Sequence, residues 1–142
     1  MIMRFILLPG EYSVCRFGPG QLPALDLRSR EFACMAWTEE EISVVCASGT
    51  LGGAQKEESG WRVLKIAGPL DFGLVGVLAE ASGILAAAEV SIFAVSTFDT
   101  DYLLIKADRL DVAKKALEEG GHSFGNAEEA ADGSGSRDGE RN

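Results

Sequence analysis

The stretch GPLDFGLVGVLAEASGILAAAEV, residues 68–90, decides how this chain is read. It opens with Gly68, Gly73 and Gly76 and one acid, Asp71, inside nine residues. The segment before it, WRVLKIAG (residues 61–68), mixes apolar and polar positions as a strand does. Pro69 to Gly73 punctuates the chain as a loop. Then Leu74, Leu78, Ala81, Leu85 and Ala88 recur at spacings of 4, 3, 4 and 3, which places one apolar stripe on a helix. Asp71 sits near the start of that helix, where a carboxylate accepts free amides and favours the dipole.

Working outward, SIFAVSTF (91–98) is β-branched, aromatic and nearly apolar on both faces, as a central strand is. Asp99-Thr100-Asp101 makes a turn into YLLIK (102–106), so the two runs predict a hairpin. ADRLDVAKKALEEGG follows: Asp108 is a candidate N-cap, Leu110, Ala113 and Leu117 share a face, and Gly120-Gly121 stop the helix. His122-Ser123-Phe124 predicts a last short strand. The order over residues 61–124 is β-α-β-β-α-β, the split βαβ or ferredoxin-like topology, with both helices on one sheet face.

The first half is less regular. FILLP and YSVCRF flank Gly10-Glu11 and predict a hairpin; FACMAW (32–37) and ISVVCA (42–47) predict two further strands. Thr38 to Glu41 has the T-x-x-E form of a capping box, readable as one helical turn or as solvated acids in a tight turn. LGGAQKEESG (51–60) reads as a linker.

The chain has 142 residues, a formal net charge of −9 and 46% AVILMFWYC, enough for a real core. The negative balance argues against nucleic acid, whose phosphates need Lys and Arg, and against an anionic membrane surface. Cys15, Cys34 and Cys46 lie in apolar stretches without CxxC spacing, so they predict buried free thiols rather than a disulfide scaffold or zinc site. No signal-peptide pattern and no apolar run of transmembrane length occurs, so a soluble cytoplasmic protein is expected. The tail NAEEAADGSGSRDGERN (126–142) has no aliphatic side chain larger than Ala and should be a disordered acidic end; its net −3 leaves −6 on the rest.

GPLDFGLVG lacks both G-x-G-x-x-G spacing and the GK[ST] of a P-loop, and no Lys or Arg lies between Lys65 and Lys106. That argues against a nucleotide. A small zwitterion fits better: helix-start amides for its carboxylate, an Asp for its amine. A plain tight turn stays open beside it. His122, next to Gly-Gly, reads as a surface residue. A Cys–His nucleophile has no local support. Glu39, Glu40 and Glu41 are adjacent and do not share a helix face as metal ligands would. Asp99 and Asp101 read as hairpin-turn chemistry or as two acids on one strand face.

The stretch from Gly68 to Leu117, with its GLVGVLAEASGI run, resembles an ACT domain, the βαββαβ module that binds amino acids in regulatory proteins. SIFAVSTFDTDYLLIK and TEEEISVVC are similar to the paired-ACT branch that includes the aspartate kinase regulatory region and CASTOR-type arginine sensors. The resemblance implies an α+β fold of two ACT-like units in tandem: a degenerate unit over 1–58, an ACT domain over 59–125, and the tail over 126–142. It implies ligand at an interface between ACT units, against Asp71, Phe72, Gly73, Leu74 and Val75 of the helix-entry loop and Ser96, Thr97, Phe98 and Asp101 of the facing turn. Arginine sensors carry acids where this chain has Gly73, Leu74 and Val75, which points to a neutral or apolar amino acid rather than arginine. The expected function is a non-enzymatic, allosteric regulatory module of the amino-acid-binding kind, without cofactor or metal and homodimeric. The alternative is a ligand-free ACT module for protein assembly.

Overall fold

A strand sends alternate side chains to opposite faces, and that alternation builds the core. The computed structural model describes residues 1–29, 32–68 and 75–125. Along it run β1 (Arg4–Leu7), β2 (Tyr12–Phe17), β3 (Cys34–Trp37), β4 (Ile42–Ala47), β5 (Lys56–Ile66), α1 (Val77–Ala87), β6 (Phe93–Ser96), β7 (Asp101–Lys106), α2 (Leu110–Glu119) and β8 (Ser123–Gly125). The chain divides into two units: Met1–Pro9 with Arg62–Asn142, and Gly10–Trp61. Strand β5 passes from the second unit into the first at Trp61.

In the first unit the strand order is β6-β7-β5-β1-β8. Phe5, Leu64, Ile66, Leu103 and Ile105 share the face on which α1 lays Val77, Ala81 and Leu85 and α2 lays Ala113 and Leu117. This is the α+β sandwich that the apolar spacing predicted, with the helix stripe shifted to include Val77. Ile6, Val63 and Leu104, which alternate with these residues, are buried as well, so the strands are apolar on both faces, as interior strands are.

One pairing differs from expectation. Residues 5–9 do not form a hairpin with β2. Instead β1 lies antiparallel to β5 (Phe5↔Ile66, Leu7↔Leu64) and parallel to β8 (Arg4↔Ser123, Ile6↔Gly125). Phe5 and Ile6 are adjacent and both buried; a strand apolar on both faces is favoured between two neighbours rather than at an edge.

Both helices end in the same way. After α2, Gly121 takes φ +94, its N–H reaches Glu118 C=O, and His122 N–H reaches Leu117 C=O. After α1, Glu89 takes φ +60, its N–H reaches Ala86 C=O, and Val90 N–H reaches Leu85 C=O. These are Schellman ends, which place one residue in the left-handed region. Arg109 adds its guanidinium, donating to Ala88 C=O at 3.2 Å and Glu89 C=O at 3.4 Å. Asp108 does not cap α2: Ala107–Arg109 form a single 3-10 turn, and no side chain caps the helix.

In the second unit the order is β3-β4-β2-β5, all antiparallel. Cys15, Phe17, Ile42, Val44 and Cys46 form its core, with Leu25, Met35 and Leu51 packed against them. Residues 56–60, expected as linker, are strand. Their side chains are mostly exposed, so the ladder to β2 rather than apolar burial holds them. That ladder shifts register between Tyr12 and Val14. Gly60 at φ +81 supplies the left-handed backbone common at such bulges. Residues 38–41 are a tight turn and not a helical one: Thr38 N–H donates to Glu41 C=O at 2.8 Å, and Thr38 Oγ1 accepts from Glu40 and Glu41 N–H at 3.1 Å. The two flanking strands hold this turn closed.

Candidate functional site

Strand β5 ends at Ile66, and the chain then leaves toward α1. Asp71, Phe72, Gly73 and Leu74 lie outside the described residues. Val75 is 88% exposed. Gly76 follows at φ +87, a conformation that favours glycine, and its carbonyl accepts Glu80 N–H to open the helix. Gly76, the N-cap residue, has no side chain with which to cap α1.

The β6–β7 turn is fastened to the end of β5. Thr97 N–H donates to Thr100 C=O at 2.8 Å, and the Thr97 hydroxyl donates to the same oxygen at 3.1 Å. The Thr100 hydroxyl, buried, donates to Ile66 C=O at 2.6 Å. The turn is thereby held beside the point from which the helix-entry loop departs. On its open side Ser96 donates to Asp101 Oδ1 at 2.5 Å, and Phe98 is 71% exposed. Ser96, Thr97 and Asp99 are exposed and Asp101 is half-buried. Ser96 and Asp101 are thus brought into contact. Thr100, which orients the whole turn, escaped the sequence reading; its signal was a hydroxyl between two acids in a hairpin turn.

Other candidates take different positions from those expected. His122 is buried, not at the surface. Met3 N–H donates to its Nδ1 at 3.0 Å, and its ring meets Phe5 edge-on. Its Nε2 lies 3.6 Å from Glu80 Oε2, beyond hydrogen-bond distance. That partner set is structural. Cys15, Cys34 and Cys46 are free thiols, the first and last buried. Burial, then the neighbouring Cys46 and Glu57, push Cys15 up to about 11, and burial raises Cys34. An activated nucleophile needs the opposite shift. Among the described residues no group of His, Cys, Asp and Glu is arranged to hold a metal ion, and no helix is long and apolar enough to cross a membrane.

The second unit contains a cavity of about 350 Å³, with Leu25, Phe32 and Leu51 as apolar walls and Cys46, Thr50 and Asp26 as polar points.

Residues 56–119 match the family model of the ACT domain. This segment is thereby similar to the ACT domain. The cytosolic arginine sensor for mTORC1 subunit 1 of Homo sapiens is 37% identical over 59 residues, and that of Bos taurus gives the same figures. The match takes in 41% of this chain and 18% of the sensor, so the chain spans under a fifth of the length of these curated relatives. Among solved structures, protein Atu0741 of Agobacterium tumefaciens superposes with a TM-score of 0.78 at 27% identity, over 89% of this chain and 94% of that one. The ligand-free regulatory subunit of aspartate kinase from Thermus thermophilus gives a TM-score of 0.56 at 12% identity, over 81% of this chain and 95% of that subunit. The second likeness shows the fold alone. Strands β1 and β8, which pair with each other, lie outside the residues that the family model matches.

Proposed function

We propose that this chain is a non-enzymatic regulatory module whose ACT domain binds a neutral or apolar amino acid at an interface between ACT units, with a second copy of the chain supplying the opposite side. The observation that carries this reading is the bond from Thr100 to Ile66 C=O. It holds an exposed turn with an acid, a hydroxyl and an aromatic ring at the mouth of the helix-entry loop. The first amides of α1 suit the ligand carboxylate. Asp101 suits the amine, and Phe98 and Val75 suit an apolar side chain. Asp71, Phe72, Gly73 and Leu74 complete the proposed site, and Ser96 and Thr97 line its turn side. Gly10–Trp61 is, in this proposal, a degenerate second ACT-like unit. The names of the relatives, an arginine sensor and an aspartate kinase regulatory subunit, support a regulatory role; Gly73, Leu74 and Val75 argue against arginine itself. Binding would act by favouring one assembly over another.

The test is a thermal-shift screen of the full chain against the twenty amino acids, with sedimentation of the hits. A rise in melting temperature for one or a few neutral amino acids, reduced in Asp101→Asn and Phe98→Ala, is the expected result. No shift at millimolar concentrations would favour the rival reading, assembly without ligand, for which exposed Phe98 and Val75 are equally suited.

A further inference from the structure

We propose that the cavity of the second unit is a binding site for a small organic amine, a single protonated amino group on an apolar body. The cavity measures about 350 Å³, at the lower end of the roughly 300–1,000 Å³ range of small-molecule sites. It arises because residues 18–29 and 32–33 cover one face of the β2–β4 sheet as irregular chain rather than as a helix. Leu25 and Leu51 reach the core cluster, and a hollow remains above Cys46 at the end of β4.

The polar groups facing the hollow select the ligand. Asp26 stands at its rim. Arg28 N–H and Nε both donate to Asp26 Oδ1, at 3.0 and 3.1 Å, which lowers the carboxyl below its usual range and keeps it charged. Both side chains of that pair are largely exposed, so it is a weak surface pair that a ligand cation can share. The Thr50 hydroxyl spends its proton on Ala47 C=O at 2.7 Å, which leaves its oxygen as an acceptor. Asp26 and Thr50 are therefore acceptors, and no Lys or Arg is among the described residues lining the cavity. The cation recorded beside it, Arg28, is already engaged by Asp26, so among the described residues a ligand carboxylate would compete with Asp26 for that charge, and a zwitterionic amino acid is accepted less well than the corresponding amine. Leu25, Phe32 and Leu51 suit a branched or aromatic body. The overall charge of −9 raises the local concentration of cations.

The experiment is amide-proton NMR titration of the full chain at neutral pH with three probes of one shape: 3-methylbutylamine, 3-methylbutan-1-ol and leucine. The expected result is saturable shifts at Leu25, Cys46 and Thr50 with the amine, and binding about tenfold weaker for the alcohol and for leucine. Asp26→Asn should weaken the amine about tenfold, the loss of a charge-assisted bond, and leave the alcohol unchanged. Absence of saturable shifts at millimolar amine, equal binding of amine and alcohol, or amine affinity unchanged in Asp26→Asn would each overturn the proposal. The amine–alcohol comparison uses only the wild-type chain and stands even where the variant misfolds. Because leucine is a separate arm, failure here is distinguishable from failure of the amino-acid reading of the ACT domain.

Discussion

Glu89 and Gly121 occupy equivalent left-handed positions at the ends of two helices, yet only one of them is glycine. A side chain in that region costs about 1 kcal/mol or more, partly offset by the greater entropy glycine loses on folding. Glu89→Gly should therefore stabilise the first unit by about 0.5–1 kcal/mol, seen as a rise of several degrees in melting temperature by calorimetry. His122 makes the opposite case. Truncation to Ala leaves the Met3 N–H without its acceptor and removes a buried ring from Phe5. His122→Ala should cost about 2–4 kcal/mol, measured by urea denaturation. Its burial was not legible in GGHSF, because the residues that enclose it come from β1 and α1, distant in sequence. The sequence reading placed the Cys15 and Cys46 thiols inside because their flanking residues are apolar, and that signal is local.

The β6–β7 turn is the element that most repays a test. Its strands were legible because SIFAVSTF and YLLIK carry β-branched and aromatic residues around an Asp-Thr-Asp turn. The anchor that orients it was not, since no local pattern reports a hydroxyl bonding a carbonyl 34 residues earlier. Thr100→Val keeps the shape and strands Ile66 C=O without its donor, at a cost of about 1–3 kcal/mol. In the proposed function the same change should also weaken amino-acid binding, since the turn loses its fixed place; a stability loss without any change in binding would separate fastening from recognition. The helices were legible from their period of 3.6, and α2 kept its predicted stripe of Leu110, Ala113 and Leu117. Strand residues 56–60 were hidden because KEESG has neither alternation nor apolar content; the backbone ladder alone makes it a strand.

Across the whole molecule, the α+β class, the ACT-like order and the β6–β7 hairpin were legible from the elements of the second half, whereas the neighbours of β1 were not, because its pairing partners are chosen by the sheet and not by the local chain. The helix-entry loop belongs to the part for which sequence offers only a resemblance. The pH response follows from Cys15. Its folded value, about 11, lies above the ordinary 9.0, so the stability it contributes is fully present below pH 9 and is lost as pH rises toward 11. The loss approaches about 2–3 kcal/mol for a shift of this size. Urea midpoints measured from pH 8 to 11 should fall, and Cys15→Ala should flatten that fall while lowering stability at neutral pH. The interposed β1 also sets an order of events during synthesis. Its two neighbours, β5 and β8, leave the ribosome long after it does, β8 almost last. The contiguous stretch Gly10–Trp61 has all its own partners early and is free to fold while β1 waits. Strand β1 thus precedes both its neighbours and is among the last seated, so a chain released before residue 123 would carry an apolar ribbon with one side unclaimed, the form of intermediate that chaperones hold.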